Sequence, residues 1–478
     1  MQLRPYQQKA IELLRTEISQ QKVDGRRPRP ILCLPTGAGK TVTFSNLTDQ
    51  AILKGSRPGL VCHRTELVQQ AQKTMREYGV DMKAVNFGMV QTYVRSPYKI
   101  PKMDVCIIDE CHIGNFRRFI DLLIERNPSV QIIGATATPL AASNKKPLNQ
   151  LFDSVISPVQ IKDLIEDGYL SEPEYVKYQI DEGDLVKGSD GEFTAQSQTK
   201  IFSEKNLIDQ LKQVKDKTII FCASIDAAEN AARLSEAQGI ETFLVHSKMD
   251  KDLRDNEVEQ FKARSMNHRC AIVNCSILTA GFDDPSICKA IIYRATTSLT
   301  LWLQMVGRAS RIIPGQKERF TIVDMGGNLD RHGYWEMDRD WDRMFREQGK
   351  KKKGKGPAPT KECEMCQAII PVSATVCPVC GAAQKKGQDK APSGVPVVIS
   401  SYSQLPENLK KPYSQMTVRE LIERAQYGSP RLGRPFKTGW IVSKLKERPN
   451  ASQALREYAY IKGYKKGWVD RQLNMMQV

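Results

Sequence analysis

A glycine-rich segment near the amino terminus has the residue types and spacing of a phosphate-binding loop. It reads LPTGAGKT (Leu34–Thr41), follows an apolar run and opens a helical pattern. Gly37 and Gly39 allow backbone N–H groups to turn towards phosphate oxygens, and the helix that follows adds the positive end of its dipole. Lys40 is predicted to reach the β- and γ-phosphates of a nucleotide and Thr41 to hold Mg²⁺. The strict pattern has a glycine at the position of Leu34, which is a departure.

A pair of acidic residues supplies the second half of such a site. The run IIDECH (Ile107–His112) delivers Asp109 and Glu110 at the end of an apolar strand. Asp109 suits a Mg²⁺ partner, and Glu110 suits a base that orients the attacking water. Alone, such a pair is usually a solvated turn. Its position downstream of Lys40 favours a nucleotide site.

Four of the twelve cysteines are paired as C-x2-C-x10-C-x2-C, at Cys363, Cys366, Cys377 and Cys380. Each pair can hold a tetrahedral ion from one tight turn, and the spacer can form a hairpin that brings the pairs together. The spacing predicts a structural zinc ribbon, with rubredoxin-like iron or no metal as the alternatives. The other eight cysteines lie in or beside apolar strands and are interpreted as buried thiols.

The charge of the chain is concentrated near its end. Residues 350–478 hold 24 Lys and Arg against 9 Asp and Glu, whereas the first 349 residues hold 47 against 45. Such asymmetry predicts an acidic polymer as partner. Nine aromatics in 401–478 could stack on unpaired bases beside the cations. The alternatives are a solvated basic tail, or a small helical core that uses the aromatics while the lysines bind.

Apolar, β-branched runs alternate with helical patterns and must position these residues. Predicted strands of the first half are Arg29–Leu34, Gly59–Cys62, Val105–Asp109 and Ile132–Ala137, with helices near Thr41–Lys54 and Arg64–Tyr78. Predicted strands of the second half are Thr218–Cys222, Thr242–Val245, Ala271–Cys275, Ala290–Tyr293 and Phe320–Val323, with helices at Ile225–Gln238, Asp252–Arg264 and Leu299–Arg308. This alternation predicts two α/β domains with parallel sheets. The polar stretch Asp181–Thr199 is expected to be a loop or hairpin.

Nine short motifs in order resemble those of superfamily 2 helicases, of the DEAD/DEAH-box branch that includes phage and repair-type enzymes. They are LRPYQ (Leu3–Gln7), LPTGAGKT, VCHRTEL (Val61–Leu67), GMVQTY (Gly88–Tyr93), DECH, GATATP (Gly134–Pro139), IIFCAS (Ile219–Ser224), NCSILTAGFDDP (Asn274–Pro285, motif V) and QMVGRASR (Gln304–Arg311, motif VI). GATATP, the last motif of the first half, has Thr-Ala-Thr where many relatives have Ser-Ala-Thr. The resemblance covers about residues 1–325.

The resemblance implies two tandem recombinase-A-like lobes with ATP between them. The implied nucleotide-binding residues are Arg4, Gln7, Thr36, Gly37, Ala38, Gly39, Lys40, Thr41 and Asp109. The implied catalytic residues are Lys40, Asp109, Glu110, Gln304, Arg308 and Arg311. Because Arg308 and Arg311 are three residues apart, a helix would project them on one face towards the γ-phosphate, and either could be the arginine finger.

By motif position, Arg64, Thr92 and Thr279 are expected to contact the sugar-phosphate backbone. Cyclic closure of the two lobes would then move the protein along a strand. His63 and His246, within these regions, are interpreted as structural or surface residues.

The predicted organisation is a first helicase lobe at 1–157, a second at 158–347, a basic linker at 348–360, the zinc ribbon at 361–382 and a basic, aromatic, mostly helical nucleic-acid-binding region at 399–478. The predicted function is an ATP-dependent helicase or translocase with ATP, Mg²⁺ and Zn²⁺, acting on single-stranded or forked DNA in replication, recombination or repair. Alternatives are a duplex translocase or branch-migration motor, an RNA helicase, and a zinc-containing nucleic-acid-binding scaffold with a vestigial ATPase.

No segment approaches the length of a membrane span, and the amino terminus lacks a secretory pattern. We therefore expect a cytoplasmic monomer with no membrane partner. Replication or repair proteins are further candidate partners.

Overall fold

The computed structural model describes residues 3–19, 26–113, 116–141, 147–178, 180, 182–279, 281–349, 360–362, 369–371, 397–399, 415–426, 438–446, 448, 450–464 and 467–474. The chain divides into two compact units. One contains residues 1–176 and 180–350, and the other contains residues 177–179 and 351–478. Two α/β lobes, each built on its own sheet, make up the first unit.

The first lobe is a parallel sheet with helices between its strands. In chain order its elements are α1 (Pro5–Ser19), β1 (Pro30–Cys33), α2 (Lys40–Leu53), β2 (Pro58–Cys62), α3 (Thr65–Glu77), β3 (Asn86–Met89), α4 (Val90–Arg95), β4 (Val105–Asp109), α5 (Arg117–Arg126), β5 (Gln131–Thr136) and β6 (Ser154–Ile156). The strand order is β3-β2-β4-β5-β1-β6, and every neighbouring pair is parallel. The carboxyl ends of all six strands therefore lie at one edge.

Burial explains why these segments form strands and helices. Every residue of β1, β2 and β5 is buried, as expected for a parallel sheet covered on both faces. In α3 the buried residues are Leu67, Ala71 and Met75, which recur every four positions and form one apolar stripe. The opposite side of α3 is polar, so this helix covers the sheet with one face only.

The second lobe repeats the alternation. Its elements are α6 (Ile161–Glu166), β7 (Glu172–Lys177), α7 (Ala195–Ile201), α8 (Glu204–Leu211), β8 (Thr218–Cys222), α9 (Ile225–Ala237), β9 (Glu241–Val245), α10 (Lys251–Ala263), β10 (Cys270–Asn274), β11 (Lys289–Tyr293), α11 (Leu299–Gly307), β12 (Arg319–Asp324), α12 (Asn328–His332) and α13 (Trp341–Arg346). The strands β7, β12, β11, β8, β10 and β9 are neighbours in that order. The pairs from β12 to β9 are parallel.

Short polar side chains start the helices that follow these strands. Ser224 caps α9, Asp250 caps α10 and Ser298 caps α11, each accepting a backbone N–H of the first turn. A cap of this kind stabilises a helix by about 1 kcal/mol. The caps therefore fix where the chain turns from a strand edge into a helix.

The predicted two-lobed α/β fold is confirmed, with local differences. Each predicted strand is present, but β3, β6 and β7 lack a continuous β-branched run and were not expected. Within the predicted loop Asp181–Thr199, Lys187 and Phe193 form an antiparallel bridge, but α7 begins at Ala195. Thr194 caps α7 by accepting the backbone N–H of Ser197, so the polar character of this stretch partly reflects a helix start.

The end of the first unit returns from the second lobe to the first. Phe345 of α13 belongs to the apolar core that contains Phe119 and Phe152 of the first lobe. The Asn149 side chain donates to the carbonyl oxygens of Phe345 and Gln348, at 3.1 and 2.9 Å. The Gln348 side chain in turn accepts the backbone N–H of Ala141 at 2.9 Å. Residues 341–348 therefore stabilise the first lobe, although they follow the second.

The second unit contains the short strands β13 (Thr360–Glu362), β14 (Ile369–Pro371) and β15 (Val397–Ile399), then α14 (Val418–Gln426), α15 (Thr438–Lys446), α16 (Ala451–Lys462) and α17 (Trp468–Asn474). Strands β13 and β14 form an antiparallel pair, in which β13 ends directly before Cys363 and β14 lies between Cys366 and Cys377 in sequence. Cys363, Cys366, Cys377 and Cys380 lie outside the described residues.

The described helices of this unit pack around a small apolar core. Leu421, Leu455, Tyr458 and Trp468 are buried in it, and the Tyr464 and Trp468 rings stack with centroids 4.5 Å apart. These aromatics are therefore core residues, as one of the sequence alternatives states. In the described parts of the chain, no helix combines the length and the apolar character that a bilayer crossing needs.

Candidate ATPase site

The phosphate-loop segment lies where β1 ends and α2 begins. Gly37 and Gly39 have φ angles of 95° and 71°, which lie in the left-handed region that favours glycine. Gly39 is the residue before α2, and no side chain caps this helix start. The first-turn N–H groups therefore have no side-chain acceptor, as a site for phosphate oxygens requires.

Lys40 joins the two halves of the predicted site. Its ammonium donates to Asp109 Oδ1 at 2.7 Å and to Glu110 Oε1 at 2.5 Å. Lys40 opens α2, Asp109 ends β4 and Glu110 follows it with a φ of 49°. A positive φ at a glutamate is a strained conformation, and such strain is concentrated at functional sites.

The electrostatics of this cluster depend on burial. Burial alone would lower the pKa of Lys40, but the carboxylates of Asp109 and Glu110 outweigh it and raise that pKa above its usual value. Burial also raises the pKa of Asp109. For Glu110, Lys40 and His112 outweigh burial and lower the pKa. The cluster thus combines one cation with two carboxylates, a donor set that suits phosphate on one side and Mg²⁺ on the other.

His112, to which sequence reasoning gave no role, connects this cluster with the second lobe. Its Nδ1 lies 2.8 Å from Thr136 Oγ1 and 3.2 Å from Glu110 Oε2. Its Nε2 lies 3.3 Å from the Gln304 side-chain nitrogen on α11. The position of His112 directly after Asp-Glu-Cys was the available signal.

Arg311 of the second lobe lies directly over the phosphate loop. A Cβ added to Gly37 would collide with the Arg311 guanidinium and would lie 2.7 Å from Leu170 Cδ2. Arg311 Nε donates to Asp283 Oδ1 at 3.0 Å. The backbone of Arg311 forms an antiparallel bridge with Leu170. A guanidinium is therefore held where the phosphates of a loop-bound nucleotide would lie.

Arg308 points elsewhere, and the expectation that both arginines share one helical face is wrong. Helix α11 ends at Gly307, so Arg308 occupies the C-cap and Arg311 lies in extended backbone. The Arg308 guanidinium donates to the carbonyl oxygens of Phe282 and Thr279, at 2.6 and 2.8 Å. Burial, reinforced by the nearby Arg311, lowers the pKa of Arg308 to about 10. Arg308 thus links motif VI to motif V.

Helix α1 reaches the phosphate loop through the predicted adenine-recognising element. The Gln7 amide donates to the carbonyl oxygens of Ala38 and Gly39, at 3.1 and 3.3 Å. The Tyr6 hydroxyl donates to Ala38 as well, at 2.9 Å. The Arg4 guanidinium lies 4.3 Å from the ring centroid of Tyr169. Tyr169 is far away in sequence and gave no local signal.

The remaining loop residues are placed consistently with a nucleotide site. Thr36 packs against Gly307 of the second lobe, where a Cβ would lie 2.9 Å from the threonine Cβ. Thr41 lies in the first turn of α2, next to Lys40. The structure brings the predicted residues from Thr36 to Thr41 together with Asp109, Glu110 and Arg311.

The residues predicted to contact nucleic acid follow the carboxyl ends of strands. Arg64 is the exposed N-cap of α3 after β2, and Thr92 lies in α4 after the neighbouring β3. Thr279 follows β10 in the second lobe and is buried. Gly281 brings this segment against the first lobe, because a Cβ there would lie 3.5 Å from Leu67 Cδ2 on α3. The motif V segment therefore lies beside the helix that Arg64 begins.

Motif V also contains a strained residue that sequence reasoning did not identify. Ser276 has a φ of 62°, and its hydroxyl accepts a hydrogen bond from Arg294 at 2.8 Å. Arg294 follows β11, whose carboxyl end lies at the same edge of the sheet. This arginine thus helps to fix the backbone of motif V.

Family comparisons agree with this arrangement. Residues 1–97 match the model of the type III restriction enzyme res subunit, residues 80–206 that of the SWI2/SNF2 ATPase, and residues 202–313 that of the helicase conserved C-terminal domain. Together these matches run through both lobes. The chain is a superfamily 2 helicase. As a member of this superfamily it is an ATP-hydrolysing motor that acts on nucleic acid.

Individual relatives of the helicase are 27% and 29% identical to it over about 70% of its length. A 51.5 kDa protein of a Lactococcus phage (isolate 7-9) is 27% identical over 73% of this chain and 76% of its own length. The ATP-dependent helicase IRC3 of Saccharomyces cerevisiae is 29% identical over 68% of this chain. The helicase spans about half of that yeast protein, 51% of its length.

One solved structure supports the fold of the helicase. A fragment of the HsdR subunit of a type I restriction enzyme from Vibrio vulnificus YJ016 superposes with a TM-score of 0.52 and 23% identity. The match covers 71% of this chain and 66% of that fragment. This comparison therefore supports the two-lobed fold.

Proposed function

We propose that this helicase hydrolyses ATP at the Lys40–Asp109–Glu110 cluster, with Arg311 as its arginine finger, and moves along DNA. The observation that carries the proposal is the placement of Arg311 against Gly37, opposite a lysine that contacts both carboxylates. A vestigial ATPase would not need to keep these four partly buried side chains together. The scaffold alternative is therefore disfavoured.

The proposed mechanism begins with exchange of the partners of Lys40. When ATP binds, its phosphates accept hydrogen bonds from the Lys40 ammonium and from the first-turn N–H groups of α2. Asp109 and Thr41 would hold Mg²⁺, which would supply positive charge to the phosphates. Glu110 orients the attacking water and takes its proton. The Glu110 pKa, lowered mainly by Lys40 and His112 against burial, keeps it an anion before ATP arrives.

The second lobe completes the site when the lobes close. Arg311 stabilises the charge that develops on the transferred phosphoryl group, an effect of about 10³- to 10⁵-fold in known examples. Arg308 holds the carbonyls of Thr279 and Phe282, so movement of motif VI would be transmitted to motif V. Thr279, Arg64 and Thr92 are our candidates for the phosphate backbone of the bound strand.

The preference for DNA rests on the restriction-enzyme family model that matches the first lobe. An RNA helicase and a motor that translocates without separating strands are the other candidates. ATP turnover should be measured in parallel with single-stranded DNA, duplex DNA, forked DNA and RNA. Strongest stimulation by RNA would contradict the DNA assignment, whereas stimulation by duplex without unwinding of forks would favour the translocase.

The site itself is tested with Lys40→Ala. This variant should lose turnover by two or more orders of magnitude but retain most nucleic-acid affinity, because Lys40 contacts the acidic pair and no predicted nucleic-acid residue. Lys54→Ala, at the end of the same helix, is the matched control and should hydrolyse ATP normally. Undiminished turnover in purified Lys40→Ala would overturn the assignment.

We further propose that Cys363, Cys366, Cys377 and Cys380 bind one structural zinc ion. Support comes from their spacing in sequence. Elemental analysis of freshly purified protein should give one zinc per chain, and Cys363→Ser or Cys380→Ser should reduce it. Stoichiometric iron, or no metal, would contradict the proposal.

The helical region 415–474 is proposed to add nucleic-acid affinity through its exposed cations. Arg419, Arg456 and Lys462 are exposed, whereas Tyr458 and Trp468 are buried. These exposed cations would contribute a salt-dependent, sequence-independent contact. A cytoplasmic monomer and replication or repair partners stay predictions from sequence. The eight cysteines of the described residues are free thiols, which suits a reducing compartment.

A further inference from the structure

A buried lysine occupies the turn between motif VI and β12. Lys317 is 3% exposed, and its ammonium donates to three carbonyl oxygens: Arg311 at 2.6 Å, Ala309 at 2.7 Å and Pro285 at 3.0 Å. An ammonium has three N–H donors, so this set uses all of them. Two of the carbonyls belong to the segment that carries Arg311, and the third belongs to motif V.

The segment around Arg311 needs such a partner because α11 ends before it. With the helix finished at Gly307, the carbonyls of residues 309–311 have no helical donors. Ser171 supplies part of the replacement, since its hydroxyl donates to the Arg311 carbonyl at 2.9 Å and its N–H donates to the Ser310 carbonyl at 2.8 Å. Lys317 supplies the rest from the other side.

The result is an arginine that is fixed at both ends. Ser171 and Lys317 share the carbonyl oxygen of Arg311, while Asp283 accepts from its guanidinium at 3.0 Å. A shift of this backbone would move the guanidinium away from Gly37. Misplacement of a catalytic group by about 1 Å can reduce turnover by about 10²-fold.

Burying a charged ammonium at this position costs free energy, because the ammonium loses its hydration. Among the described residues no carboxylate lies within 4 Å of the Lys317 ammonium, and burial lowers the pKa of this group to about 8. Apolar side chains commonly replace buried charges without loss of stability. A buried lysine that binds only carbonyls is thus better explained by the backbone conformation that it enforces than by stability.

We propose that Lys317 is a positioning residue that sets Arg311 over the phosphate loop and thereby supports ATP hydrolysis. The proposal rests on the finger role of Arg311 in the proposed function. Lys317 does not touch the nucleotide. Its removal should therefore lower kcat and leave the KM for ATP nearly unchanged.

The decisive experiment is a double-mutant cycle in the full chain. Steady-state ATPase parameters are measured for the unmodified protein, Lys317→Met, Arg311→Ala and the double variant, with thermal unfolding of each. Lys317→Met should lower kcat by about 10- to 100-fold. In the Arg311→Ala background the same change should have almost no further effect, because Lys317 acts through Arg311.

Lys217 provides the matched control. It is fully buried in the same lobe, and its ammonium donates to the carbonyls of Arg264 and Lys262 and contacts Asp284 at 2.9 Å. Lys217→Met removes an equally buried ammonium that contacts motif V at Asp284 but donates to none of the carbonyls of residues 309–311. It should lower thermal stability and retain kcat within about 3-fold.

The outcomes separate this inference from the proposed function. Turnover of Arg311→Ala equal to that of the unmodified protein would overturn the finger role itself. A large loss in Arg311→Ala together with a normal kcat in Lys317→Met, or with additive losses in the double variant, would overturn the role of Lys317 alone. If Lys317→Met does not fold, Lys317→Gln, which keeps two N–H donors, is used in the same cycle with the same criteria.

Discussion

The Nε2 atom of His112 in the first lobe lies 3.3 Å from the side-chain nitrogen of Gln304 in the second lobe. The other ring nitrogen, Nδ1, lies 2.8 Å from Thr136 Oγ1 and 3.2 Å from Glu110 Oε2. One histidine therefore connects the proposed base of the first lobe to α11 of the second.

Replacing Gln304 by leucine should uncouple the lobes. The variant keeps the volume of the side chain but removes the donor to His112, leaving a buried imidazole nitrogen without its partner. We expect nucleic-acid stimulation of ATPase to fall by about 10-fold, the effect of about 1.4 kcal/mol. Unstimulated turnover should change less.

Gln198→Leu is a suitable control, since Gln198 is also buried and its amide accepts the N–H of Ala295 within the second lobe. It should retain stimulation even where its thermal stability falls. Equal loss of stimulation in both variants would show that the effect of Gln304 is a general response to a buried polar deletion.

The two arginines of motif VI should separate by phenotype. Arg311→Ala should lower kcat by about 10³-fold with little change in folding, because its guanidinium lies over Gly37 and its partner Asp283 is half-exposed. Arg308→Ala should lower the unfolding temperature as well as activity. It removes the donor to two carbonyls, Thr279 and Phe282, and leaves them inside the lobe.

Circular dichroism melts and ATPase assays on both purified variants test this division. Arg319→Ala serves as the surface control, because Arg319 is 63% exposed and pairs with Glu172 and Glu174. If Arg308→Ala folds stably but loses kcat by about 10³-fold, and Arg311→Ala keeps a normal kcat, the arginine finger is Arg308 and the assignment is reversed.

The strands that carry the ATPase site could be predicted because their burial is visible as composition. Strand β1 and strand β4 are short apolar runs that lead straight into the site, since β1 ends directly before the phosphate loop and β4 ends at Asp109. Strand β3, which reads NFGM, has no such run and is half-buried. It becomes a strand because β2 offers it an edge, which no local pattern reveals.

The orientation of motif VI could not be predicted for a related reason. Spacing alone suggested a continuous helix through Arg308 and Arg311. The helix ends at Gly307 because that residue packs against Thr36 and Arg311 pairs with Leu170, and both partners are more than 100 residues away. Likewise, the local sequence around Phe345 did not indicate that this residue would pack in the core of the first lobe, because its partners there are distant in sequence.

The pH dependence of stability should carry a contribution from His332. Burial, together with Arg331 and Arg339 and against a hydrogen bond to Thr296, lowers the pKa of His332 to about 4 from its ordinary 6.5. Between these values the unfolded chain binds a proton that the folded protein does not bind, so stability falls as the pH falls from 6.5 to 4. The full effect is about 3 kcal/mol.

Chemical denaturation of the unmodified protein and His332→Gln at several pH values tests this contribution. Glutamine keeps an N–H donor for the Thr296 carbonyl but cannot be protonated, so the variant should gain stability relative to the unmodified protein as the pH falls. His268→Gln is the control, because His268 is half-exposed and faces Glu241 Oε2 at 2.6 Å. A pH-independent difference for His332→Gln would contradict the prediction.

Truncation tests the return of the chain to the first lobe together with the role of the basic region. A chain that ends after Gly349 keeps Phe345 in its core and Gln348 on Ala141, so it should fold and hydrolyse ATP. A chain that ends after Asp340 loses both contacts. Its free energy of unfolding should be lower by about 3–5 kcal/mol, the scale of one Phe→Ala core deletion, and its unfolding temperature should fall accordingly. The expected difference between the two chains would show that the first lobe needs α13 for its stability.

The chain that ends after Gly349 also isolates the electrostatic contribution of residues 350–478, which it lacks. The removed residues carry 24 Lys and Arg against 9 Asp and Glu. If about 3–5 of these cations contact phosphates, the slope of log affinity against log salt should shrink by about 2–5 units. Binding of single-stranded and forked DNA by the full chain and the truncated chain, at several salt concentrations, measures that slope. An unchanged slope with intact ATPase would mean that the exposed cations of residues 415–474 do not contact nucleic acid, and that the affinity of the motor comes from its two lobes.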